Sequence, residues 1–191
     1  MHRELDKHIY TRLLLFNAST QAGYFKSTLM KLFLGANIKQ ERATRSSSSK
    51  HNPDKLTITF APVKGFERTL VKFHEYASMS DAAQWPVTPL IRDSLRAKIE
   101  APDGDSFVDA LNAIMSTFDV RTGNGRCKNN LRAKKHTPPN ILINVVVSRP
   151  GMPEITAEVQ IFLCAIEEIM EHRHYEVGTG RQIALLPSCK H

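Results

Sequence analysis

Cysteine is scarce in this chain. Cys127, Cys164 and Cys189 are odd in number, widely spaced and without a C-x-x-C pair. This argues against both a disulfide framework and a structural zinc site, and points to the cytoplasm or another reducing compartment. Long apolar runs are missing too: no stretch approaches the ~20 residues that a membrane-spanning helix requires. The first residues carry Glu4 and Asp6 and lead into no such run, so neither a signal peptide nor a transit peptide is expected. Glycine-rich phosphate loops are also lacking. Gly123-Asn124-Gly125 and Gly178-Thr179-Gly180 neither follow a strong strand nor open a helix, and read as turns. No internal repeat is visible.

What is present is the composition of a folded domain: 191 residues, 41% hydrophobic and 24% charged, enough for one core of ordinary size. Lys and Arg number 26 against 19 Asp and Glu, a formal net charge of +7. Such a surface favours polyanions, nucleotides or nucleic acid among them, although a basic surface without a particular ligand has the same composition.

Periodicity divides the chain. Residues 6–35 carry Ile9, Leu13, Phe16, Phe25, Leu29 and Phe33 at helical spacing, and Gly23 suggests a break between two short helices. Residues 40–54, with Ser46 to Ser49 and the turn sequence Asn52-Pro53-Asp54, read as a linker or loop. A half-buried strand follows at 55–61 (KLTITFA), then a helix over about 63–77 marked by Phe66, Leu70 and Phe73. A second strand is expected near 92–100. Its helix is marked by Phe107, Leu111, Ile114 and Phe118, with residues 103–106 able to cap it. A short basic strand at 126–132 precedes ILINVVV at 141–147, a β-branched run typical of a central strand covered on both faces. Residues 155–162 alternate again, and Leu163, Ile166, Ile169 and Met170 imply a helix reaching about His174. The expected fold class is α+β: a mixed sheet of about five strands flanked by helices, with an N-terminal helical segment. The domain reading is N-terminal helices and a Ser-rich linker over 1–50, the main domain over 51–180, and a tail over 181–191.

Three constellations bear on chemistry. Lys64, Arg68 and Lys72 are spaced i, i+4, i+8, so on one helix they drift by about 40° per step and share a stripe. Beside a strand end this is either a grip for a nucleoside triphosphate or a solvated basic face. Asp93 and Glu158 are acids entering or lying on strands. Two carboxylates on neighbouring strands form a minimal magnesium site for phosphoryl or pyrophosphoryl transfer, though an exposed glutamate on a strand face is also commonplace. Arg126, Lys128, Arg132, Lys134 and Lys135 form a basic cluster that suits phosphates or RNA by electrostatics alone, since no aromatics interleave it. His172 and His174 have no evident third ligand and read as a helix end that meets phosphate or water.

Taken in order, these segments resemble the RelA/SpoT-like (p)ppGpp synthetase domain, which has a nucleotidyltransferase fold, in its divergent eukaryotic-microbe form. The run VKGFERTLVK at 63–72 is similar to the element in which two lysines eight residues apart hold donor ATP, here Lys64 and Lys72. RDSLRAKI at 92–99 resembles the strand opened by the magnesium-binding aspartate, which gives that role to Asp93 and puts Lys98 where the family has an arginine. RCKNN at 126–130 is similar to the R-F-K-D/N segment, with Lys128 its lysine. EVQI at 158–161 matches the E-I/V-Q-I motif with Glu158 and Gln160, and His172 to Tyr175 is similar to the closing H-x-x-Y. The resemblance covers about residues 56–176.

It implies an enzyme that transfers pyrophosphate from ATP to the 3′-hydroxyl of a guanine nucleotide. Mg²⁺ would be its cofactor, Asp93 and Glu158 its metal-binding and catalytic acids, and Lys64, Arg68, Lys72, Lys98, Lys128, Gln160 and His172 its nucleotide contacts. Departures lie at Pro62 and Arg68, where the family has arginine and serine, and at Asn144 and Phe162, where it has histidine and arginine. In place of the N-G-Y segment whose tyrosine stacks on guanine stands Pro138-Pro139-Asn140. The chain contains no His-Asp dipeptide, the mark of the family's hydrolase half. The alternative reading is a domain without chemistry. It would bind nucleotide, RNA or a ribonucleoprotein through the basic cluster, or serve as a structural subunit through its apolar N-terminal helices.

Overall fold

The computed structural model describes residues 2–40, 55–79, 87–120, 127–131 and 139–164. It begins with a single helix, α1 (His2–Leu32), of 31 residues where the sequence suggests two. Gly23 lies inside it rather than at a break. A glycine in a helix interior costs about 1 kcal/mol relative to alanine, and that is outweighed here by burial on both sides of it: Ala18, Phe25 and Leu29 all enter the main core.

The strands are β1 (Asn37–Gln40), β2 (Thr57–Phe60), β3 (Leu95–Ala101), β4 (Cys127–Asn129), β5 (Asn140–Val147) and β6 (Ile155–Leu163). They form one mixed sheet in the order β1-β2-β3-β6-β5-β4, with β1 parallel to β2, β3 parallel to β6 and the remaining pairs antiparallel. The α+β class and the mixed sheet agree with the sequence reading, and the described residues form six strands because β1 joins the edge. Its sequence, NIKQ, has no apolar alternation to reveal it. As the β-branched run suggested, β5 is an interior strand buried on both faces. Gln40, the first residue of the loop expected over 40–54, ends β1 instead, and Leu163, expected in the last helix, ends β6; residues 41–54 and 165–174 lie outside the described residues.

One face of the sheet is the core. Ala97, Ile99, Ile143, Val145, Val159 and Ile161 pack there under Phe25 and Leu29 of α1 and under Phe107, Ala110 and Ile114 of α3 (Gly104–Thr117). Phe25 meets Phe60 and Phe118 edge-on, at centroid distances of 6.5 and 6.2 Å. The start of α3 is fixed by Asp103, whose carboxylate accepts from the Ser106 backbone N–H at 2.7 Å. The turn between β5 and β6 is tied to α1, since Gln21 and Asn17 both donate side-chain amide hydrogens to the Pro153 carbonyl, at 2.6 and 3.1 Å.

A second, smaller core places α2 (Phe66–Met79). Phe73 is fully buried against Val87 and Ile91, with Tyr10 and Leu14 of α1 alongside. Because Phe73 points inward, the neighbouring Lys72 and Tyr76 are turned toward the polar face of the sheet. Leu5, Ile9, Leu13 and Phe16 of α1 remain exposed. No helix among the described residues is long and apolar enough to cross a membrane.

Candidate active site

The polar face of the sheet is organised by register. Arg96 on β3, Glu158 on β6 and Asn144 on β5 stand in one row across three strands. In the next row stand Thr59, Lys98, Gln160, Leu142 and Lys128. Alternation along each strand puts these side chains on one face because the intervening residues are spent on the core. Glu158 therefore sits at the centre of the sheet, half-buried, and its Oε1 accepts a hydrogen bond of 2.7 Å from Gln160 Nε2.

Where this face meets α2 there is a pocket of about 220 Å³ lined by Lys72, Tyr76, Arg92, Asp93, Lys128, Asn144 and Glu158, with Leu90 and Leu142 as its apolar wall. Four of the residues singled out in the sequence, Lys72, Asp93, Lys128 and Glu158, thus come together from α2, the entry to β3, β4 and β6. Lys64 belongs to the same constellation through Asp93. Its ammonium contacts Asp93 Oδ2, and the two side chains are only 8% and 29% exposed. The connection between β2 and α2 makes this contact, since Ala61 N–H donates to Arg96 O at 3.2 Å and Lys64 N–H to Ser94 O at 3.4 Å. That prolongs the antiparallel β2–β3 pairing until Lys64 lies opposite the start of β3.

The expected single stripe of Lys64, Arg68 and Lys72 does not form, because α2 starts at Phe66 and leaves Lys64 in the preceding segment. Arg68 is exposed on α2, outside the pocket lining. Lys72 faces the pocket and pairs with Glu75 at 2.8 Å, and that carboxylate's hydrogen bond and charge raise the Lys72 pKa above the ordinary lysine value. Lys98 is on the polar face beside the pocket, paired with Glu100 at 2.9 Å and 4.9 Å above the Phe162 ring. Asn140, standing where the resemblance implies a guanine-stacking tyrosine, is buried, and its side-chain oxygen accepts from Asn130 Nδ2 at 2.8 Å. His172, Arg126, Arg132, Lys134 and Lys135 lie outside the described residues.

Tyr76 and Arg92 are pocket residues that sequence reasoning did not single out for the site, and Asn144 was noted only as a departure from the family's histidine. Each had a signal: Tyr76 is one turn beyond Lys72 on α2, Arg92 adjoins Asp93, and Asn144 interrupts an otherwise apolar strand.

Among the described residues no group of three or more His, Cys, Asp or Glu side chains converges to hold a metal. Asp93 and Glu158 are the two carboxylates that line the pocket. That set suits magnesium, which prefers oxygen, takes one or two carboxylates and fills its remaining positions with water and phosphate oxygens. It does not suit zinc, which prefers nitrogen and sulfur.

With this geometry in view, comparisons with known proteins sharpen the assignment of fold. No family model matches the sequence, and no curated protein matches it. Among solved structures the fold is that of a small alarmone synthetase. Small alarmone synthetase 1 from Bacillus subtilis, bound to its product pppGpp, superposes with a TM-score of 0.55 at 13% identity, over 91% of this chain and 82% of that one. A second structure of the same synthetase gives 0.54 at 14% identity, over 89% and 81%. The chain accordingly has the α+β fold that these small alarmone synthetases share.

Proposed function

We propose that the chain is a nucleotide pyrophosphokinase that transfers the β,γ-pyrophosphate of ATP to the 3′-hydroxyl of a guanine nucleotide. The observation that carries this reading is the convergence of Asp93, Glu158, Lys72 and Lys128 on one pocket, with Lys64 on Asp93, within an alarmone-synthetase fold.

The reaction needs a deprotonated hydroxyl, a bound polyphosphate and neutralisation of the charge that builds on it. Glu158 is the general base: it takes the proton of the 3′-hydroxyl as that oxygen bonds to the β-phosphorus. The bond from the β-phosphorus to the bridging oxygen breaks, and AMP leaves with the electron pair. Gln160 holds the Glu158 carboxylate by its amide hydrogen bond and so fixes the direction from which the proton is taken. Lys72, Arg92 and Lys128 line the pocket as cations for phosphate oxygens. Asp93 and Glu158 would hold magnesium, which when bound supplies neutralisation of the charge that builds on the transferred group.

The volume supports a division of the substrate, because ligand pockets that enclose a whole small molecule run from about 300 to 1,000 Å³. A pocket of about 220 Å³ takes the phosphates, leaving the nucleoside along the open polar face.

The test is an incubation of purified protein with γ-labelled ATP, Mg²⁺ and GDP, GTP or AMP in parallel. Label on a guanine nucleotide, with AMP formed from the donor, is expected. Absence of label from every acceptor would overturn the proposal.

A further inference from the structure

The family resemblance implies donor phosphates as the partner of Lys64 and a metal as that of Asp93, yet the structure joins the two to each other. From this we infer that the site admits its metal and its polyphosphate only together, as a metal–nucleoside triphosphate complex, through an exchange of partners at Lys64 and Asp93. The inference rests on the reading of the pocket given above.

Charge compensation couples the two arrivals. Lys64 is almost covered, with its side chain 8% exposed, and Asp93 is its charged partner. An ammonium withdrawn from water is costly to leave without a counter-ion, and so is a carboxylate. A free divalent cation approaching Asp93 must displace Lys64, which leaves the ammonium unpaired beside a dication. A free triphosphate that draws Lys64 away leaves Asp93 unpaired beside phosphate oxygens. Only joint arrival compensates both groups: the carboxylate passes from ammonium to metal while the ammonium passes from carboxylate to phosphate.

Lys72 follows the same pattern more weakly. Its partner Glu75 is half exposed, so the pair is solvated and readily parted. In the free site both lysines are thus engaged by acids, one firmly and one loosely. Reciprocity follows, because a metal that raises affinity for the nucleotide must have its own affinity raised by the nucleotide to the same degree.

The probe is Mn²⁺, read by EPR, alone and with an ATP analogue whose α- and β-phosphorus atoms are joined by a methylene group, so that it cannot yield its pyrophosphate. Lys64→Met keeps the apolar stem and removes the ammonium, and Lys64→Gln carries the same comparison if the methionine variant does not fold. Without nucleotide, the variant should bind Mn²⁺ about tenfold more tightly than the natural chain. With the analogue the order should reverse, because the variant has lost a phosphate contact. Adding Asp93→Asn to the variant should abolish its gain. Equal or weaker binding of Mn²⁺ alone by the variant overturns the inference, whatever the transfer assay shows. A natural chain that forms no product while the variant shows the gain loses the reaction and keeps the exchange.

Discussion

Asp103 and Glu158 illustrate at the residue scale how differently two carboxylates are used in one chain. Asp103 is spent on structure. Its carboxylate caps α3 by accepting the Ser106 backbone N–H and the Ser106 hydroxyl, and the backbone hydrogen bond is the main reason its pKa is held below the ordinary aspartate value. Because the folded pKa is lowered, the stabilisation is complete above the unfolded value of about 3.9 and disappears as pH falls through the lower folded value. Asp103→Ala should therefore lower the Tm by a few degrees at neutral pH. The gap should close as thermal melts are repeated below the unfolded value, and Asp103→Asn, itself a good cap, should stay near the natural chain throughout. Among the described residues Glu158 has no backbone donor of this kind. It is held by a side-chain amide and faces a pocket, as suits a group that must exchange partners.

Among the elements, α1 gives the sharpest test of how local and tertiary forces compete. Gly23 is exposed, continues the helix, and has no heavy atom within 4 Å of where a Cβ would stand. Gly23→Ala should thus stabilise the chain by about 0.5–1 kcal/mol, raising the Tm by about 2–4 °C in a thermal melt. A loss of stability would show that α1 is broken there after all. The same residue explains what was legible in the sequence. Helix and strand types followed from apolar spacing at Phe66, Leu70 and Phe73 and along 155–162, where burial enforces a period. The continuity of α1 did not, because glycine's local penalty is visible in sequence while the burial of Phe25 and Leu29 is a tertiary fact. The strand β1 was invisible for the converse reason: it is polar, and it owes its position to backbone pairing with β2.

For the molecule as a whole, the sheet order is what turns scattered residues into a site. Lys64, Lys72, Asp93, Lys128 and Glu158 span much of the sequence, and nothing in their local surroundings says they meet. The order β2-β3-β6-β5-β4 and its register bring them to one face beside α2. The carboxylates and lysines were legible through motif resemblance, whereas the partnership of Lys64 with Asp93 depends on the extension of the β2–β3 pairing and had no counterpart in the sequence. In the proposed reaction this pocket performs pyrophosphate transfer with Glu158 as base. It is tested most directly by measuring AMP released from ATP as a function of added guanine nucleotide, for the natural chain and for Glu158→Gln. AMP release that depends on the acceptor, and that falls about 100-fold or more in the variant, is the expected result. Release that is the same in both proteins, or that ignores the acceptor, would contradict it.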